Sequence, residues 1–256
     1  MAPKAEGASP LLSALDRSFR STCRVVFGEE IGSLEESEWL FTYAAPMKKG
    51  KSALSEKEVS FIAPYPPRAK FISMEEKARI PPPRFSPNDI KDIDSLLRAA
   101  RECAYYCGSK AIGNSRYVEL SDNVTDSFFV YASHNITKSE YIARSELVIK
   151  SKHLFGAAAA GESEFCIGIS ESSVASRIFE SAQVQTSSDL YCCFFARNCQ
   201  DCMFSFGQQA KRHMIGNNAL PRERYMLLKK ELLSQMAAML KSKKKGLLLS
   251  DIVGGR

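Results

Sequence analysis

Between residues 121 and 151 the apolar and polar positions recur with a period of six. Ser121, Ser127, Ser133, Ser139, Ser145 and Ser151 mark one phase, and Val124, Val130, Ile136, Ile142 and Val148 fall midway between them. Carried forward by sixes, the same phases hold Leu154, Ala157, Ala160, Ser163, Cys166 and Ile169, and later Cys193, Ala196, Cys199, Cys202 and Ser205. No charge falls on either phase. The charges, among them Asp126, Lys138, Arg144, Lys150 and Glu180, lie between. A period of six fits neither the 3.6-residue turn of a helix nor simple strand alternation. It predicts a mainly β fold, a parallel β-solenoid over 116–206, in which each hexad makes a short strand and a corner. Aliphatic residues fill the strand centres, and serine, alanine or cysteine fit the tight inner corners.

The residue after each aliphatic sets the coil length. Tyr131, Ala143, Phe155, Ile167, Phe179, Tyr191 and Met203 form one set at spacing 12, apolar throughout. Thr125, Thr137, Ile149, Gly161, Ser173, Gln185 and Arg197 form the other, mostly polar. Stacked coils superpose equivalent residues, so the coil length is 12, or 24 from the recurrence of Tyr131, Phe155, Phe179 and Met203. A length of 18 scrambles the alternation. The apolar set makes a stripe along one side, and long apolar stripes are seldom left wet. Either the chain covers it, with a helix at 86–107 or the C-terminal helix, or Tyr131, Phe155, Ile167, Phe179, Tyr191 and Met203 are an interaction surface.

The flanks divide the rest of the chain. Residues 1–85 are mixed. Ser9 and Pro10 open a short amphipathic helix through Leu11, Leu12, Leu15 and Phe19, and strand-like runs follow at 23–28, 38–44 and 58–63. Proline clusters at 64–68 and 80–87 punctuate the chain. Residues 86–115 begin with a helix, capped by Ser86 before Pro87, that packs on the solenoid. Residues 207–256 carry a C-terminal helix started by Asn217, Asn218 and Pro221, which caps the solenoid and leads into the basic run 241–246.

Composition changes this picture little. The 256 residues are 45% hydrophobic and 25% charged, with a formal net charge of +6; these values are ordinary for a globular protein. The +6 sits partly in the basic run, a solvated stretch more than a nucleic-acid contact. No apolar run approaches the length of a membrane span. Eight cysteines without a secretory leader point to reduced thiols in a cytoplasmic protein. Cys193, Cys199 and Cys202 supply thiols at C-x-x-C spacing, a familiar half of a zinc site, yet all fall on inward phases that call for small residues anyway. No metal or other cofactor is expected. His134 and His153 lie 19 apart, a spacing that does not superpose on a coil of 12 or 24. No nucleotide-binding loop or nucleophile elbow occurs.

The stretch "ARNCQDCMFSFGQQAKR" (196–212) adds a resemblance. Its N-C-x-D-C, apolar strand and Gln-Gln pair resemble the right-handed β-helix shared by tubulin-binding cofactor C and the C-terminal domain of cyclase-associated protein, strongly over this stretch. The resemblance implies a right-handed coil stack. In the cofactor C group an arginine two places after the pair speeds GTP hydrolysis by a bound small GTPase. Gln208 and Gln209 form the pair here, and Lys211 holds that place with Arg212 one later; lysine lacks the planar fork of arginine.

Three functional expectations follow. The first is a non-enzymatic scaffold or assembly module that binds protein partners or its own copies. The second is a small-GTPase regulator acting through Gln208, Gln209, Lys211 and Arg212. The third is a trimeric β-helix acyltransferase-like enzyme, which requires a coil length of 18 and a cleft lined by His134 or His153.

Overall fold

The computed structural model describes residues 9–66, 68–161, 163–164, 166–172, 174–185, 188–242 and 247–254, with the side chains of Asp89, Ser170, Val184, Asp189 and Phe195 left aside. Ser173, Ser187 and positions 243–246 of the basic run lie outside the described residues. Five helices are described: α1 (Pro10–Phe27), α2 (Met74–Lys77), α3 (Ile93–Cys103), α4 (Arg222–Ser242) and α5 (Leu249–Val253). No described helix is long and apolar enough to cross a membrane.

A parallel β-solenoid of about eight turns fills residues 111–215. Its register is 12. Glu140 pairs with Phe128 on one side and Lys152 on the other, and Glu146 pairs with His134 and Ala158. Each coil therefore holds two short strands, one in each of two facing sheets. The first sheet runs from Arg116–Glu119 through Phe128–Tyr131 and Glu140–Ala143 to Gln200–Met203 and Arg212–Ile215. The second runs from Asp122–Thr125 through His134–Thr137 and Glu146–Ile149 to Ala182–Gln185 and Phe194–Arg197. The interior between them is dry. Val124, Val130, Ile136, Ile142, Val148 and Leu154 are all fully buried.

The corners close by a repeated hydrogen-bond device. Ser145 Oγ donates to Ala143 O (2.9 Å) and accepts from Ala157 N, one coil on (3.1 Å). Ser133 does the same with Tyr131 O and Ser145 N, so each hydroxyl satisfies an amide that the inner corner leaves unmet and adds a second donor to a carbonyl that, for Tyr131, also accepts from Arg144 N (3.0 Å). The turn geometry is equally regular. The residue before each inward position takes a left-handed conformation, as at Asn123, Asp126, Phe129, Ala132, Asn135 and Lys138 (φ +47° to +56°).

The apolar stripe is the seam of the molecule. Phe155, Ile167, Phe179, Tyr191 and Met203 are buried, Tyr131 partly, in one cluster with Leu11, Leu15, Phe19, Cys23, Val26 and Phe27 of α1 and Tyr225, Met236, Ala237 and Leu240 of α4. Phe19 meets Phe155 edge-on (5.3 Å), Phe27 meets Phe179 (5.0 Å), and Tyr191 Oη donates to Val26 O (3.0 Å). The stripe is thus covered by the chain itself and is not an open interaction surface. Its main cover is α1, with α4; the helix near 86–107 takes no part.

Three local expectations change. Cys23–Phe27 is helix and not strand, because the apolar spacing of α1 continues through Cys23, Val26 and Phe27 until Gly28, at φ +84°, ends it. The run 38–44 holds only a short 3-10 turn at Glu38–Leu40. The helix expected from Ser86 starts instead at Ile93, capped by Asp92 with Ser95, and buries no residue: Ile93 and Leu97 are exposed. The run 58–63 does fulfil its strand pattern, since Glu58–Phe61 pairs antiparallel with Lys48–Lys51.

Candidate functional site

With one sheet strapped by α1 and α4, the outer face of the second sheet is covered along its Asp122/His134/Glu146 edge, where Asp122 and His134 are buried and Ala45 N donates to Glu146 Oε2 (3.3 Å), and is left bare beyond it. It carries two columns. Asn123, Asn135, Leu147 and Ala159 stack along one, and Thr125, Thr137, Ile149, Gly161, Gln185, Arg197 and Gln209 along the other. Asn123 Nδ2 donates to Asn135 Oδ1 (2.6 Å), which fixes the amides as a ladder. Leu147 and Ile149 are 53% and 52% exposed, and Val174, whose N–H donates to Gly161 O, is 47% exposed. This apolar spot lies between the Asn/Thr rungs on one side and Glu171, Gln185 and Arg197, all exposed, on the other.

The cysteines behave as corner and core residues. Cys193 Sγ donates to Tyr191 O (3.5 Å), Cys199 Sγ to Arg197 O (3.6 Å) and Cys202 Sγ to Gln200 O (3.4 Å), each to the carbonyl two places back, as the corner serines do. Burial pushes the Cys193 and Cys202 thiols up to about 12, so they stay protonated. Among the described residues no three His, Cys, Asp or Glu side chains converge as a metal cluster.

The histidines are not arranged as a transferase needs them. The register of 12 removes the coil length of 18 on which that reading stood. His153 lies flat on Tyr141 (5.1 Å), the last described ring of a ladder with Phe129 and Tyr117, and its Nδ1 meets Ser18 Oγ of α1 (2.7 Å). His134 is buried, and its Nε2 meets Glu146 Oε2 (2.8 Å). Burial lowers the His134 pKa more strongly than Glu146 raises it, so the ring is neutral with its proton on Nε2. Its Nδ1 is buried without a hydrogen-bond partner, and no nucleophile faces it among the described hydrogen bonds. Glu146 stands opposite His134 in the strand register, one coil on, so their contact is a direct product of coil stacking. Reading the histidines only against each other hides it.

A second buried carboxylate ties three segments together. Glu180 is 2% exposed; its Oε2 accepts from Leu249 N at the start of α5, and it shares a hydrogen bond with the Tyr43 hydroxyl. Burial pushes its pKa up to about 7, against the lowering effect of those two donors, and Asp251 adds to the rise. Beside it, Cys192 Sγ donates to Leu247 O (3.5 Å), and burial holds that thiol well above its ordinary pKa. No sequence pattern marks Glu180, since Tyr43 and Leu249 lie far from it in the chain, one on either side.

The candidate finger residues sit on the last coil. Gln208 is half-buried and donates Nε2–H to Phe206 O (3.2 Å), while Gln209, Lys211 and Arg212 are exposed. Gln209 stacks under Arg197, at the end of the bare-face column. Compared with models of known protein families, with curated proteins and with solved structures, the chain shows no match.

Proposed function

We propose that this protein is a non-enzymatic interaction module that presents the bare face of its solenoid to a protein partner. The observation that supports this reading is the asymmetry of the coil stack. One sheet is sealed by helices of the same chain, and the other keeps solvent-facing columns in which Leu147 and Ile149 are exposed, with Val174 exposed at the neighbouring turn. Such a rod offers a preformed surface at little ordering cost, which is what a scaffold supplies. Isolated exposed apolar residues need no explanation, but a cluster rimmed by polar ladders is the pattern of a contact site. Its test is the double variant Leu147→Asp/Ile149→Asp. Partner capture is expected to fall by at least tenfold while the melting temperature stays within a few degrees. Undiminished capture of every partner overturns the reading.

A second reading keeps one supporting observation. Gln209 at the end of the second sheet, Lys211 at the following corner and Arg212 at the start of the first sheet's last strand are exposed in succession, where a bound small GTPase would meet two cations. The double variant Lys211→Ala/Arg212→Ala then abolishes any stimulation of GTP hydrolysis by this protein. Stimulation that survives the change discards the GTPase reading and leaves the scaffold reading untouched.

A further inference from the structure

The two ends of the solenoid differ. At the C-terminal end the last strand, Arg212–Ile215, turns back into an antiparallel pair with Asn218–Ala219, and α4 packs against it. At the other end the first strand of the first sheet, Arg116–Glu119, pairs only with Phe128–Tyr131, and its outer edge has no strand partner among the described residues. Arg116, Tyr117 and Glu119 are exposed, Tyr117 at 55%, and Val118 is only half-covered although it packs into the interior core. The backbone of this coil is equally unmet. In later coils the residue in the place of Leu120 donates its N–H to the preceding coil, as Ala132 does to Glu119 O (3.1 Å) and Arg144 to Tyr131 O (3.0 Å). Leu120 has no earlier coil, and among the described residues no carbonyl meets its N–H. An uncovered parallel edge is a template for further strand pairing.

We infer that this edge is the contact of a two-fold dimer, in which Arg116–Glu119 of one copy lies against Arg116–Glu119 of a second. Head-to-tail stacking through the first sheet is blocked, because that sheet's opposite end is closed by its hairpin and α4. The free edge of the first sheet therefore meets a like edge, which gives a closed, isologous pair and no filament. Its charges are self-complementary: a two-fold axis through the middle of the strand carries the Arg116 end of one copy to the Glu119 end of the other. The only side-chain contact described for either is a 3.3 Å bond from Ser9 Oγ to Glu119. Tyr117 stacks on Phe129 at 4.7 Å with 5° between the rings, and on the same axis it comes opposite Val118 of the second copy, so its exposed ring would pack over the joined edge. One coil end is a small contact, so the dimer is weak and concentration-dependent.

The test is sedimentation velocity on the full chain over a concentration series up to about 0.5 mM, the range where small interfaces populate. Wild-type protein is expected to pass from monomer to dimer and no further. Arg116→Glu and Glu119→Arg, each placing like charges across the axis, are expected to weaken the dimer about tenfold, and the double variant Arg116→Glu/Glu119→Arg to restore it. Both residues are exposed, so the variants keep the fold, which circular dichroism verifies. A wild-type monomer throughout, an unlimited polymer, or a dimer insensitive to both single reversals each overturns the inference. None of these changes touches Leu147 or Ile149, so the bare-face reading stands or falls separately.

Discussion

Ser145 shows at the scale of one residue how the solenoid holds itself. Its hydroxyl satisfies a carbonyl of its own coil and an amide of the next, and it is fully buried. Ser145→Ala leaves the buried Ala157 amide without its acceptor and is expected to cost about 1–3 kcal/mol in a urea or guanidinium titration; a smaller change shows that the corner admits water. Glu180 gives a pH dependence of definite sign. Its folded pKa of about 7 stands above the ordinary 4.5, so the native state binds the proton more tightly. The stabilisation is complete below about pH 4.5 and is lost as pH rises through 7. The melting temperature should fall between pH 5 and pH 8, and Glu180→Gln should flatten that slope and raise stability at pH 8 by up to about 3 kcal/mol. A slope that survives in the variant assigns it to another group. The inward phases are legible in the sequence because a period of six imprints directly on residue type. Glu180 is not, since its burial depends on Tyr43 and Leu249, which local pattern does not connect.

At the scale of the element, α1 is the decisive piece. Its positions 23–27 contain two valines and a phenylalanine, which locally favour a strand. Packing overrides this, because only as a helix does Pro10–Phe27 set Leu11, Leu15, Phe19, Cys23 and Val26 on one face to seal the stripe. That the stripe needs a cover is readable from its residues; which segment supplies the cover is not, because long-range packing makes that choice. Phe19 is central, touching Phe155 and Phe41 edge-on. Phe19→Ala is expected to cost about 3–5 kcal/mol and to increase binding of a hydrophobic dye as the stripe loosens; a loss under about 1 kcal/mol removes α1 from the role of seal. Gly156 completes that contact. At φ +74° it lets Phe41 approach so closely that an added Cβ would lie 2.5 Å from the ring and 2.9 Å from its Cα. By contrast α3, amphipathic by sequence, buries nothing, so periodicity announces a face without saying that the face is used.

At the scale of the whole molecule, the two-strand coil divides labour between its sides: one side holds the molecule together and the other meets the outside. The alternation of apolar and polar sets makes this division readable in the sequence. The location of the proposed contact surface is not readable, because it depends on which side α1 and α4 occupy. The same geometry governs how the chain tolerates changes of length. Half a coil is a hexad and a full coil is two. Removing two hexads from the repeat shortens the rod by one storey and leaves every later side chain on its own wall. Removing one preserves the dry interior, since serine and aliphatic phases still alternate, yet it turns every later storey half-way round. The stripe would then face water, and the threonine and glutamine column would lie beneath α1. Insertions and deletions in this chain are therefore counted in dozens, and a frame of six, harmless to the interior, is fatal to the architecture around it.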